Sequence, residues 1–399
     1  MRTFQIIFLV VFIAIYLLTS FGSFYSLKKI VVHRRQRMIN MIFPILHLLI
    51  LFLFFVLYIY PFQPSQSGNY SFYLVFNIFL FAVFMFNIPL AFAALAHRIF
   101  GRKKEPVLPY AGLLIAIPLA SLILYGTIAG AASFREVHHE LNFSNLPPAF
   151  HNYRIALITD THLGGLLNAE KKLKKTARYI DNAEPDLVLF AGDLVNNFAY
   201  EADGLEKLFG EITRNRDSYS ILGNHDYGDY SRWNSDSAKK ENFNGILRAH
   251  EKMGFRLLRN EHETLVRGGD SIFISGVENW GHPPFPQYAD LEKATENIPS
   301  DAFTILLTHD PAHWESIIKE QDDIALTFSG HTHGMQWGIK LAGIPFSLAY
   351  LTRKYWGGLY RSGNTALYVN TGIGTVGMPW RLDMPAEITY ITLKRSEIN

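Results

Sequence analysis

Four apolar runs dominate the first third of the chain: Thr3–Phe21, Met41–Phe62, Phe72–Ala96 and Val107–Ala132. Each is close to the roughly 20 residues that carry a helix across a bilayer. Helices of soluble proteins average about 11–12 residues and keep a polar face toward water, whereas these runs are longer and have none. Residues 1–134 therefore read as a region of four transmembrane helices, which leaves residues 135–399 to fold outside the lipid.

Charge placement orients that region. Lys28, Lys29, Arg34, Arg35 and Arg37 lie between the first two runs, Arg98, Arg102, Lys103 and Lys104 between the last two, and the loop Gln63 to Tyr70 has no charge. Basic loops stay on the cytoplasmic side, so the amino terminus, the middle loop and everything after Ala132 are expected outside the cytoplasm. A cleaved signal peptide places its cations before the apolar run, but only Arg2 precedes this one. Before Arg135 there are ten Lys and Arg against one acid, Glu105, a formal charge of +9; the remainder has 27 bases against 34 acids, −7. An acidic second part argues against binding duplex nucleic acid, which needs many Lys and Arg contacts to phosphate. The spans hold His47, Asn77 and Asn87 but no acid and base pair of the kind that marks a transport path, and helix packing is the reading for all three.

The second part repeats one pattern, an apolar run ending in metal-capable side chains. Leu157-Ile158-Thr159-Asp160-Thr161-His162, Leu189-Phe190-Ala191-Gly192-Asp193, Leu222-Gly223-Asn224-His225-Asp226, Leu307-Thr308-His309 and Ser329-Gly330-His331-Thr332-His333-Gly334 all have this form. Ligands at strand ends converge on one rim of a sheet. Single Asp-x-His or Gly-Asp pairs mean little, because turns favour those residues for backbone reasons. Seven candidates together, Asp160, His162, Asp193, Asn224, His309, His331 and His333, suit two divalent ions held by mixed nitrogen and oxygen ligands, which favours Mn, Fe or Zn over Ca. The chain has no cysteine, which removes thiolate metal sites, disulfides and cysteine nucleophiles together. Paired ions bring the pKa of water from about 15.7 toward 7, so no side-chain nucleophile is required.

These blocks resemble the calcineurin-like metallophosphoesterases, whose pattern is D-x-H, G-D-x-x-D, G-N-H-D/E, a lone His and G-H-x-H, from about Arg154 to Leu393. The resemblance implies a layered β-sandwich flanked by helices, an α/β fold, as one domain over residues 154–399. It implies that Asp160, His162 and His333 hold the first ion, that Asn224, His309 and His331 hold the second, and that Asp193 bridges them. It assigns His225 to the phosphoryl group or the departing oxygen, with Asp226 orienting its imidazole. One departure is visible: Asn196 stands where the family has the second Asp of G-D-x-x-D.

Element order agrees with such a fold. Strand-like runs at Arg154 to Thr159, Leu187 to Ala191 and Tyr219 to Leu222 alternate with helical ones near Ala169 to Asn182 and Gly204 to Thr213. Strand-rich segments follow at Ser271 to Val277, Phe303 to Thr308, Ile324 to Ser329, Thr365 to Asn370 and Ile388 to Leu393. Residues 135–153, with mixed charges and Pro147-Pro148, read as a short tether that keeps the domain near the membrane. Trp337, Phe346, Tyr355, Trp356, Met378 and Trp380 fit either a lipid-facing mouth or ordinary core; Arg353, Lys354, Arg361 and Arg381 fit phosphate contacts or solvated loops. His313 reads as capping or substrate-contacting and His282 as part of a turn, while His138, His139, His151, His250 and His262 read as surface residues. The expectation is a multi-pass cell-membrane phosphohydrolase with an extracytoplasmic active centre, acting on a phosphodiester or pyrophosphate of a lipid or envelope precursor. A soluble-substrate phosphatase merely anchored to the membrane, or a non-catalytic metal-binding sensor, are the other readings. Oligomeric state is not readable from the sequence.

Overall fold

The computed structural model describes residues 2–59, 67–101, 105–281, 286–341 and 344–396. His282, the loop cations Arg102, Lys103 and Lys104, and the end of the second apolar run at 60–62 lie outside the described residues. The chain divides into a helical unit, Met1–Phe62 with Phe72–Ile128, and a second unit made chiefly of Ala129–Asn399.

The helical unit contains α1 (Arg2–Ile30), α2 (His33–Ile59), α3 (Ser67–Phe100) and α4 (Val107–Tyr125). All four are long and apolar enough to cross a membrane. Leu18, Phe21 and Leu114 lie on their outer surfaces, an arrangement that water would penalise and acyl chains accommodate. The first basic cluster sits on helix ends rather than on a loop: Lys28 and Lys29 close α1, and Arg34 to Arg37 open α2 two residues later. Inside, the Tyr16 hydroxyl lies 2.6 Å and the Ser20 hydroxyl 3.1 Å from His47 Nδ1, and Asn87 Nδ2 donates to Ser20 Oγ at 3.3 Å. His47 and Asn87 thus join three helices through polar contacts, the packing mode that lipid-embedded helices favour.

The second unit is built on two six-stranded sheets. Its strands are β1 (Phe134–Phe143), β2 (Arg154–Ile158), β3 (Leu187–Phe190), β4 (Asp217–Ser220), β5 (Arg256–Leu257), β6 (Glu261–Arg267), β7 (Asp270–Gly276), β8 (Thr304–Leu307), β9 (Leu326–Ser329), the hairpin β10 (Ile339–Leu341) and β11 (Ile344–Phe346), β12 (Gly358–Ser362), β13 (Thr365–Val369) and β14 (Ala386–Arg395). One sheet has the order β1-β14-β2-β3-β4-β5, the other β12-β13-β9-β8-β7-β6. Strand alternation divides the core. Ile155, Leu157, Leu187 and Leu189 join Ile272, Ile305, Leu307 and Phe328 between the sheets. Their neighbours Ala156, Ile158, Val188 and Phe190 turn outward to meet α5 (Ala169–Ala183), α6 (Glu206–Thr213) and α7 (Asp236–Lys252). Strands buried on both faces read as unbroken apolar runs, which is why β2, β3, β8 and β9 stand out in the sequence. Beyond the second sheet, Trp314, Ile318 and Val369 form an outer layer.

The segment expected to be a tether contains β1, which pairs in parallel with β14 from Phe134↔Ala386 to Phe143↔Arg395. Arg135 binds the buried carboxylate of Glu387, which also accepts from Tyr368, Thr371 and Thr389 hydroxyls at 2.8–3.0 Å. Exposed polar side chains at alternate positions, Glu136, His138, Glu140 and Asn142, with charge among them, protect an edge strand against unwanted pairing; in the sequence they resemble a solvated linker.

Candidate metal centre

Five of the seven predicted ligands sit in left-handed backbone: Asp160 (φ 54°), His162 (44°), Asp193 (57°), His331 (73°) and His333 (50°). Non-glycine residues there cost about 1–3 kcal/mol each and cluster at functional sites. The strain turns each side chain inward from the C-terminal end of its strand, so β2, β3, β4, β8 and β9 deliver their ligands to one rim.

Two groups form there. Asp160 Oδ1 is 3.3 Å from His333 Nε2, which is 3.1 Å from His162 Nε2. In the second group, Asp193 Oδ2 is 3.1 Å from His309 Nε2, and His331 Nδ1 is 2.8 Å from Asn224 Oδ1. The same Asp193 oxygen is 3.4 Å from His162 Nε2, so one carboxylate lies between the groups. His309 donates Nδ1–H to the Ala191 carbonyl at 2.7 Å, which leaves its buried Nε2 facing the Asp193 carboxylate. Burial pushes His162 down to about 3 and His331 to about 4, and drives His333 well below its usual value; these imidazoles are neutral lone-pair donors at neutral pH. Burial likewise raises Asp160 to about 7. Inward-facing neutral imidazoles whose Nε2 atoms approach to 3.1 Å and two buried carboxylates fit a donor set for divalent cations.

The calcineurin-like phosphoesterase family pattern matches residues 153–335. The uncharacterized metallophosphoesterase YkuE of Bacillus subtilis is 30% identical over 277 residues, 66% of this chain and 89% of its own. The chain belongs to the calcineurin-like metallophosphoesterases. It is therefore a metal-dependent phosphoesterase. A transmembrane protein with metallophosphoesterase domain from Danio rerio is 29% identical over 330 residues, 81% of this chain and 72% of that one. An uncharacterized metallophosphoesterase of Helicobacter pylori is 32% identical over 243 residues, 60% of this chain and 59% of its own.

In this metallophosphoesterase the structure corrects one assignment. Asp226 does not orient His225: its carboxylate is fully buried and accepts the backbone N–H of Gly223 at 2.9 Å, Asp193 at 3.0 Å and Val195 at 3.2 Å. It braces the loops that carry Asn224 and Asp193. The His225 ring donates Nδ1–H to the Asn196 carbonyl at 2.8 Å and stacks on Tyr230, whose hydroxyl accepts from Asn224 Nδ2. That bond turns Asn224 Oδ1 toward His331.

The Asn196 departure has a counterpart. Glu201, which no motif flagged, accepts the N–H groups of Gly164, Asn196, Asn197 and Phe198 and the Asn196 amide at 2.6–3.0 Å. Asn196 Nδ2 also donates to the His162 carbonyl at 3.2 Å. An amide fits between a carboxylate and a carbonyl, where an aspartate would repel both.

Arg381 belongs to the core rather than to a solvated loop. It is fully buried and donates to the carbonyls of Thr371, Gly372, Gly374 and Met384 at 2.6–3.0 Å, with Nη2 3.5 Å from His333 Nδ1. Arg353 instead sits half-exposed at the rim, 3.3 Å from Asp310, whose other oxygen is 3.8 Å from His331 Nε2. Lys354 pairs with Glu315, and Arg361 is exposed on β12. Trp356 and Trp380 are core, while Phe346 is exposed. His250 and His313, expected at the surface or as a cap, are buried against Ser220 and Thr308 hydroxyls at 2.9 and 3.0 Å.

Proposed function

We propose that this chain is a membrane-anchored, two-metal phosphohydrolase whose centre lies outside the cytoplasm and which cleaves a phosphodiester or pyrophosphate of a lipid or envelope precursor. The four spans within residues 1–134 are the anchor, and β1, from Phe134, belongs to the catalytic domain. The observation that carries the two-metal reading is the Asp193 carboxylate oxygen, 3.4 Å from one ligand group and 3.1 Å from the other. Asp160, His162 and His333 would hold one ion, and Asn224, His309 and His331 the other. Bound there, Mn, Fe or Zn ions would supply Lewis acidity toward the phosphoryl oxygens and a water made acidic enough to attack.

The protein's own residues do the rest. With Nδ1–H fixed on the Asn196 carbonyl, Nε2 is the His225 nitrogen that would take up a second proton and, from the imidazolium, pass it to the departing oxygen. Tyr230 covers one face of that ring and holds it against the centre. Arg353 supports the charge of a bound phosphate. The positive-inside rule applied to Lys28, Lys29, Arg34, Arg35, Arg37 and Arg98 supports cytoplasmic helix ends there and a catalytic domain on the other side.

The test is hydrolysis by the purified full-length protein with Mn of an aryl monoester, an aryl diester, a nucleotide-sugar pyrophosphate and phospholipids in mixed micelles, with Asp193→Ala as control. Preference for a lipid substrate that the control lacks is expected. Equal cleavage of soluble esters would remove the lipid assignment, and no turnover of any ester with metal bound would overturn the hydrolase reading for this centre.

A further inference from the structure

The chain enters the catalytic domain on the metal-bearing rim. β14 runs antiparallel to β2, with Thr389 opposite Leu157 and Thr392 opposite Arg154, so the start of β14 lies beside the end of β2 that carries Asp160. β1 is parallel to β14, and Phe134 faces Ala386; the start of β1 is therefore on that rim too. Residues 131–133 alone separate Phe134 from the last apolar span, Val107–Gly130, a link that reaches at most about 14 Å fully extended. Gly130 itself abuts Arg381: a β-carbon there would fall 1.7 Å from the Arg381 carbonyl oxygen. The metal ligands are thus at the end of the domain where the chain arrives from the lipid.

A second observation points the same way. Among the described residues of this unit, four of the seven large apolar side chains that face solvent, Met335, Phe346, Tyr350 and Leu351, fall in the loop after His333. Tyr350 and Leu351 are 66% and 72% exposed. The loop is tied to the same rim by the Ser347 hydroxyl on the Gly334 carbonyl and by backbone bonds of Gln336 and Gly338 to Leu382. It rejoins the sheet at Gly358, opposite the rim end of β13 at Val369. Arg353 and Lys354 follow it directly, the mix of apolar and basic groups that enters a lipid interface. A phospholipid surface is the partner this patch fits, since the chain itself brings one within reach.

We infer that Phe346, Tyr350 and Leu351 form an interfacial docking surface, inserting Tyr350 and Leu351 into the bilayer from which the chain emerges and opening the metal centre toward lipid headgroups. The inference deepens the proposed function and rests on its membrane anchorage, not on its catalysis. The absence of cysteine makes the test direct. Tyr350→Cys, Leu351→Cys and, as control, Val266→Cys are each labelled with nitrobenzoxadiazole in the full-length protein and reconstituted in phosphatidylcholine and phosphatidylglycerol vesicles containing doxyl lipids. Val266 is 71% exposed but pairs with Ser271 at the start of β7, the opposite end of the sheet. Quenching at 350 and 351 at least about threefold stronger than at 266 is expected for side chains below the headgroups. A ratio near one overturns the docking surface. Cleavage of bis(p-nitrophenyl) phosphate by the same proteins reads the hydrolase assignment separately: lost quenching with intact cleavage removes only the docking surface, and retained quenching without cleavage removes only the catalytic reading.

Discussion

Gly330→Ala places a methyl group where the centre has no room for one. A β-carbon at residue 330 would lie 2.2 Å from Asp160 Oδ2 and 2.3 Å from Thr159 Oγ1, against 3.4 Å for ordinary contact. The residue's φ is one that alanine adopts freely, so the whole effect is steric. If the carboxylate moves, it retreats by about 1 Å and leaves the Thr159 hydroxyl at 2.8 Å and the His331 N–H at 3.0 Å; two hydrogen bonds to a charged group are worth about 3–6 kcal/mol together. If the backbone yields instead, overpacking costs about 1–3 kcal/mol, and the cheaper route sets the expected loss of stability. Either way Asp160 shifts relative to His333, and a displaced supporting contact lowers metal affinity by about 10–100-fold. Metal-dependent hydrolysis of an aryl diester across a Mn titration, with thermal unfolding alongside, measures both. Gly210→Ala, in α6 with nothing within 4 Å of the new methyl, is the control and should be neutral or stabilising by about 0.5–1 kcal/mol. Wild-type metal affinity in Gly330→Ala would refute the packing argument.

Three further outcomes are expected. Asp193→Ala removes the carboxylate shared by both ligand groups and abolishes turnover and the second bound equivalent of metal; full activity with two equivalents by elemental analysis would sink the bridging role. His225→Ala keeps metal content but slows esters with poor leaving groups most, by about 10²–10⁴-fold for a lost proton donor; equal slowing across a leaving-group series argues against it. His250, buried and pushed down to about 3 by desolvation, takes up a proton only on unfolding between its ordinary value near 6.5 and pH 3. The unfolded state therefore binds more protons in that window, and stability falls as pH drops through it by up to about 1.4 kcal/mol per pH unit. His250→Phe should flatten that limb by one proton in urea unfolding between pH 4 and 6; an unchanged slope would show that His250 does not carry it.

The candidate ligands stood out because each interrupts a strand that is apolar on both faces: nothing in Leu326-Thr327-Phe328-Ser329 requires Gly330-His331-Thr332-His333 to follow. The central strands were legible for the same reason. What escaped was whatever depends on a partner far along the chain. β1 mixes charged, polar and apolar residues without a clean alternation, and only β14, with Glu387 opposite Arg135, makes it a strand rather than a linker. The sequence held a signal in Glu387 itself, a lone acid at the start of an apolar strand. Asp226 could be placed by motif but not by function, since its partners are backbone N–H groups that carry no sequence signature. Glu201 and Arg381 were invisible on the same ground, each holding a loop by main-chain atoms. His250 looked like a surface residue because its helix is polar; its seat behind Ser220 is a tertiary fact.

The position of β14 between β1 and β2 has a consequence for biosynthesis. Arg135 and Glu387, paired across the first of those contacts, are 252 residues apart. At about 5–20 residues per second, the ribosome needs on the order of 10–50 s to deliver the strand that fills the gap. During that interval β1 waits with its pairing edge open, and the Arg381 loop that backs His333 is made only at its end. The first sheet cannot close, and the rim cannot acquire its final form, until the intervening residues have been made and folded. A nascent chain of this kind is therefore committed to the bilayer long before it is able to hydrolyse anything.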